Sequence, residues 1–201
     1  MVFKIMKIVG FLAAVVIAGY LLLNFSYFSA QVKFFFDRTF VTEQQREFNR
    51  NEYSITLESN ELYIPTLEIR APIVFVEGET EAVFQTALQK GVVQYPNTAK
   101  VGNVGNTYIF GHSSDFAFAK GDYKTVFALL PNIELGVEIW VSDENAKVYK
   151  YRVYDKFVAE KTATHLLSQE TNGKRILTLQ TSYPIGTALR RYIVKAELKP
   201  E

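Results

Sequence analysis

Two hydrophobic rhythms divide the chain. From Ile8 to Leu23 no charged residue interrupts an apolar run, and if Asn24 and Ser26 are tolerated the run reaches Phe28, 21 residues in all. At a helical rise of 1.5 Å per residue this covers about 30 Å, the thickness of a bilayer core. From Glu61 onward the period shortens to two. Tyr149, Tyr151 and Val153 alternate with Lys150, Arg152 and Tyr154, while Leu177, Leu179 and Thr181 share one face against Ile176, Thr178 and Gln180. Tyr192, Val194, Ala196 and Leu198 repeat the pattern near the C-terminus, and shorter strands are predicted at Leu62–Ile64, Ile69–Val74, Asn106–Phe110 and Val137–Ser142. One helix stands out between them. Thr80 can cap it, Phe84, Ala87 and Leu88 follow helical spacing, and Gly91 sits where a C-terminal glycine belongs. The pattern predicts a mainly β domain of seven or eight strands, closed as a barrel or stacked as a sandwich.

The organisation that follows is a tail over 1–7, a membrane span over 8–28, a stalk or linker over 29–58 that a helix would suit, and a β domain over 59–201. Lys4 and Lys7 precede the span, so the positive-inside rule places the N-terminus in the cytoplasm and the domain outside. Lys33, Arg38, Arg46 and Arg50 follow it and weaken that asymmetry. A cleaved signal peptide is the competing reading. The run is long for one, and Phe28-Ser29-Ala30 makes a poor cleavage site.

Composition narrows the function. With 22 basic and 21 acidic residues the net charge is +1, which implies no polyanion partner, and no basic stripe points to nucleic acid. Cysteine is absent, so there is neither a disulfide framework nor thiol chemistry. Three places carry candidate chemistry. Tyr108-Ile109-Phe110-Gly111-His112 puts a histidine at a strand end, where imidazole suits acid–base work. The strand Leu177–Thr181 runs out into Ser182, and Pro184 stops the ladder. Arg190-Arg191 opens the last strand, where a guanidinium can reach a developing oxyanion. Taken singly, each reads as a surface histidine, a strand-to-turn serine and a solvated charge pair. Phe116, Phe118 and Tyr123 follow His112 and suit either a substrate groove or an apolar plug under the loop. His165 has no second ligand nearby in sequence, and no acidic cluster is dense enough for calcium; no metal or cofactor is expected.

The combination is more specific than its parts. Leu62-Tyr63-Ile64-Pro65, Ile69, Ala71-Pro72-Ile73, Leu88–Val92, Tyr95-Pro96, Thr98-Ala99, Gly105-Asn106 and Gly111-His112 resemble, in order, the first half of the sortase domain. Thr178-Leu179-Gln180-Thr181-Ser182-Tyr183-Pro184-Ile185-Gly186, with Arg191 nine positions after Ser182, resembles the family's threonine-leucine-x-threonine-cysteine segment and its arginine. The resemblance covers about residues 61–198 and implies an eight-stranded barrel at the outer face of a bacterial membrane. It also implies a transpeptidase that cleaves a C-terminal sorting signal of the Leu-Pro-x-Thr-Gly kind and passes the acyl group to a cell-wall or pilin amine. By motif match His112 takes the acid/base position, Ser182 the nucleophile position and Arg191 the oxyanion or substrate-orienting position; Thr181, Tyr183 and Phe116 become candidates for substrate contact.

Serine at 182 is the departure. A thiol ionises near pH 8.5 and neighbours lower that further, whereas a hydroxyl needs an oriented base. Asp115 and Asp122 are the carboxylates nearest His112 in sequence, and neither is an evident orienting partner. Little or no transpeptidation is expected of this chain. Three readings follow: a sortase whose cysteine is replaced, a pseudo-sortase that binds sorting peptides or surface subunits without turnover, and a serine hydrolase using Ser182 and His112.

Overall fold

The computed structural model describes residues 2–40, 56–114 and 120–200. The chain opens with helix α1 (Val2–Leu23), whose stretch Phe3–Leu23 is long and apolar enough to cross a membrane. A turn at Asn24 separates it from α2 (Phe25–Phe40), so the apolar span expected over 8–28 is divided and its last residues open a second helix. The part of the expected stalk beyond Phe40 lies outside the described residues up to Thr56.

Eight strands follow: β1 (Glu61–Ile64), β2 (Ile69–Val74), β3 (Val92–Gln94), β4 (Gly105–Phe110), β5 (Glu138–Ser142), β6 (Val148–Glu160), β7 (Arg175–Tyr183) and β8 (Arg190–Leu198). They close into a barrel in the order β1-β2-β3-β4-β7-β8-β6-β5. Of the two architectures left open by the period-2 pattern, the structure adopts the barrel, which leaves no sheet edge to protect. Most pairs are antiparallel, but β2–β3 and β4–β7 are parallel. The β2–β3 crossover contains helix α3 (Glu81–Leu88), capped by the Thr80 hydroxyl, which accepts from Val83 N at 3.4 Å. Gly91 is not in the left-handed region. A Cβ there would lie 2.2 Å from the Pro72 carbonyl oxygen, so close packing of the helix exit against β2 explains it, not helix termination.

The inward positions of the alternating strands fill the barrel: Leu62, Ile64, Ile109, Ile139, Val141, Tyr151, Leu177, Leu179, Val194 and Ala196 are fully buried. Phe127, Leu130 and Ile133, from the connection between β4 and β5, join the same core. Among the described residues Tyr151 is the one tyrosine fully buried in it, and its hydroxyl accepts from Gly102 N at 2.8 Å. Helix α2 docks on this connection. Phe34 packs against the core, the Gln31 amide donates to Ala128 O and accepts from Asn132, and Arg38 pairs with Glu134.

One ion pair ties β1 to β2. Arg70 grips Glu61 in a two-point contact, Nε to Oε1 at 2.6 Å and Nη2 to Oε2 at 2.7 Å, while Glu58 N–H donates to Oε2. Burial alone would raise the Glu61 carboxyl above its usual 4.5, but Arg70 and the Glu58 amide together hold it below. A carboxyl that ionises more readily folded than unfolded stabilises the fold above the unfolded value, and that stabilisation is lost as pH falls through the folded value. The resistance of the detergent-solubilised chain to urea should therefore fall as the pH drops below about 4.5, the unfolded value, and Glu61→Gln should flatten that part of the profile. An unchanged slope in the variant would assign the acid sensitivity to other carboxylates.

Candidate active site

The site is set by three neighbouring strands. Parallel pairing of β4 with β7 matches Gly105 with Arg175 and continues to Phe110 with Gln180. Beyond β4 the match is extended by Gly111, whose N–H donates to Gln180 O at 3.1 Å. His112 therefore leaves β4 at the level of Ser182. Antiparallel pairing of β7 with β8 sets Ser182 directly opposite Arg191, and side chains opposite one another on adjacent strands share a face at about 5 Å between Cβ atoms. The residues at 112, 182 and 191, far apart in sequence, meet at one rim of the barrel.

Local packing explains why these positions are held. Gly111 has no room for a side chain: a Cβ would lie 2.8 Å from the Phe127 ring and 3.0 Å from Val126. Close approach lets Phe127 N–H donate to His112 O at 2.9 Å, which fixes the backbone of the histidine against the plug of the barrel. His112 and Ser182 are both partly buried. Ser114, two residues on, accepts from Gly186 N at 3.0 Å and so joins the loop after the histidine to the turn after the serine. The Tyr183–Pro184 peptide within that turn is cis. Arg191 donates to the carbonyls of Ala188 and Arg190, at 3.1 and 3.0 Å, which curls its guanidinium along the start of β8. Arg190 points elsewhere, 3.3 Å from the Glu160 carboxylate.

Strand parity sorts the remaining candidates. Thr181 is 1% exposed and its hydroxyl donates to Gly111 O at 2.8 Å. It is an internal tie between β7 and the residue before His112, not a surface open to a peptide, because it alternates with Ser182 and points into the barrel. Tyr183 is exposed at the strand end, with its ring 5.8 Å from that of Tyr192. Phe116 and Phe118 lie outside the described residues, as does Asp115; Tyr123 packs partly buried against the core. His165 sits in a short turn before β7, and no cluster of metal-ligating side chains occurs among the described residues.

Two residues that sequence reading left unassigned pair beneath the rim. Tyr108 is buried on the outer face of β4 and donates its hydroxyl to Gln180 Oε1 at 2.7 Å. Burial pushes its phenol far above the usual range, against a smaller opposing pull from Arg191, so it stays a neutral donor. Below it Thr178 donates to Asn106 Oδ1, whose amide donates to Leu166 O. Parity was the available signal: 178, 180 and 182 lie on one side of β7.

A family model of the sortase domain matches residues 62–199. The chain belongs to the sortase family. Sortases are transpeptidases, and the closed barrel observed here is their fold. Sortase C-1 of Actinomyces oris superposes with a TM-score of 0.58 at 21% identity, over 79% of this chain and 84% of that one. Sortase C1 of Streptococcus suis gives 0.58 at 24% over the same shares, and the sortase D5 transpeptidase of Clostridium perfringens gives 0.57 at 23%, over 86% of this chain and 99% of that one. At these identities the structural likeness speaks for the fold. No curated protein matches this sortase.

Thr181→Val keeps the side-chain volume but leaves the Gly111 carbonyl without its buried donor. It should destabilise the protein by roughly 1–3 kcal/mol, read as a lower unfolding midpoint. A midpoint unchanged from the parent would mean that the Thr181–Gly111 tie contributes nothing.

Proposed function

We propose that this sortase acts on a C-terminal sorting signal of the Leu-Pro-x-Thr-Gly kind at the outer face of a bacterial membrane, held there by α1, with its N-terminus in the cytoplasm. The acceptor is an amine of a cell-wall precursor or a pilin lysine. Support comes from the β4–β7–β8 register, which brings the backbone of residues 112, 182 and 191 to one end of the barrel.

The roles follow from chemistry. Residue 182 attacks the carbonyl of the scissile peptide, and Arg191 turns from its own backbone carbonyls to the oxygen that becomes negative. His112 takes the nucleophile's proton and delivers it to the departing amine, so the C–N bond breaks as the acyl–enzyme bond forms. An incoming amine reverses these steps, losing its proton through His112 and freeing residue 182. With a serine in place of a thiol the first attack is slow, because the hydroxyl proton is held far more tightly. The side-chain ties that hold β7 at the rim run through Thr181 and Gln180 and not through the 182 side chain, which favours a second reading: this sortase binds its peptide and turns it over little or not at all.

The test is a fluorogenic panel of sorting peptides offered to the full chain in detergent. Ser182→Cys should raise cleavage by about a hundredfold or more over the parent. Adding Arg191→Ala to the cysteine variant should take away roughly a hundredfold or more, and His112→Ala should do likewise. Parent protein that binds a peptide, releases no product and gains cleavage on Ser182→Cys is the binding module of the second reading. A folded cysteine variant inert toward every peptide refutes the assignment of the rim, and labelling of the parent at Ser182 by a fluorophosphonate would make it a serine hydrolase.

A further inference from the structure

The turn between β7 and β8, which carries the edge of the candidate site, sits against the end of the apolar helix. Gly186, at φ +71°, lies so near Asn24 that a Cβ on it would stand 2.9 Å from the Asn24 side-chain oxygen. Asn24 is the first residue after α1. The contact is not isolated. Partly buried positions recur at Asn24, Tyr27, Phe28, Gln31, Phe34 and Asp37, a stripe at helical spacing that faces the barrel. Tyr27 hydrogen-bonds the Gln31 side chain and lies close to Tyr183, the neighbour of Ser182.

The same level of the molecule carries the marks of a bilayer boundary. Tyr20, Tyr27 and Phe28 pack edge to face, with centroids 6.1 Å apart for Tyr20–Phe28 and 5.3 Å for Tyr27–Phe28. Aromatic residues with a polar tip gather at the headgroup layer. The facing turn, Pro184-Ile185-Gly186-Thr187-Ala188-Leu189, has no charged residue, Leu189 is 67% exposed, and Arg190 and Arg191 follow. An exposed leucine beside two arginines suits an apolar anchor in an anionic headgroup layer.

We propose that the β7–β8 turn rests in the headgroup layer of anionic phospholipid, with Leu189 inserted, so that the rim bearing residues 182 and 191 opens at the bilayer surface. This rests on the reading of α1 as a membrane span. The opposite end of the barrel, where the turn 171–174 leads into β7, then points away from the lipid. Nine residues of strand separate the two ends, about 30 Å.

The chain has no cysteine, so one introduced thiol is a unique labelling site. Leu189→Cys, Thr187→Cys, Asn172→Cys and Val16→Cys, each carrying a nitrobenzoxadiazole label, are reconstituted as full chains in vesicles of phosphatidylglycerol and phosphatidylethanolamine. Doxyl-labelled lipid is then added, with the doxyl placed either shallow or deep. Shallow doxyl should quench the labels at 189 and 187 by roughly twofold or more and leave 172 unchanged, while deep doxyl quenches 16. If 16 is quenched and both 187 and 189 behave like 172, the anchor stands and the resting turn is refuted. Equal quenching of 172 and 189 also refutes it, because the barrel then has no preferred end toward lipid. A label at 16 that escapes quenching removes the span and the proposal with it.

Discussion

Parallel pairing of β4 with β7 is the constraint on which the candidate site depends. Two strands running the same way end on the same side of the barrel, so whatever leaves β4 and whatever leaves β7 come out together. His112 and Ser182 are those residues. Adding β8 antiparallel on the far side of β7 returns the chain to that rim and delivers Arg191 as it does so. An offset of one residue in either ladder would turn a side chain to the other face. The register is protected accordingly. Leu177 and Leu179 must point into the core, Thr181 must meet Gly111, and Gly111 must fit against Phe127.

Much of this was legible in the chain because alternation survives in the long strands. In these strands Tyr151, Val153, Leu177, Leu179, Thr181, Val194 and Ala196 are the inward positions that the structure buries, while Ile176, Thr178 and Ile193 are buried on the other face beneath the β6–β7 connection. The helix behind Thr80 was equally plain, since capping and spacing are local. What the sequence hid was long-range. Period-2 segments look alike whether they close a barrel or face each other in a sandwich, and only the β1–β5 pairing decides between them. Gly91 was misread for a similar reason: its neighbour is Pro72, on another strand, and nothing local reveals that approach. The same holds for Thr181. It belongs to the motif that marks the site, yet its parity turns it inward. Tyr108 and Gln180 were overlooked because a tyrosine and a glutamine in strands carry no chemical signature until the two are placed side by side.

The N-terminal region shows where composition misleads. A hydropathy reading continues through Asn24 and Ser26 because their neighbours are apolar. The structure makes a turn at Asn24, where helical bonding still continues from Asn24 N–H to Tyr20 O and from Phe28 N–H to Asn24 O, and the residues after it form α2. Phe34 and Gln31, in the segment expected to be a stalk, contact the barrel, so that segment is docking surface as well as connector. Apolar side chains serve lipid and protein core alike, and which one they meet is fixed by what folds back onto them.

Among the described residues no hydrogen bond of the fold passes through the Ser182 hydroxyl; β7 is secured by the two residues before it, Gln180 and Thr181. The requirements of the fold and those of the proposed chemistry therefore fall on different side chains. Exchanging oxygen for sulfur at residue 182 would break no hydrogen bond among the described residues. Selection for stability alone has no purchase on which of the two atoms stands there.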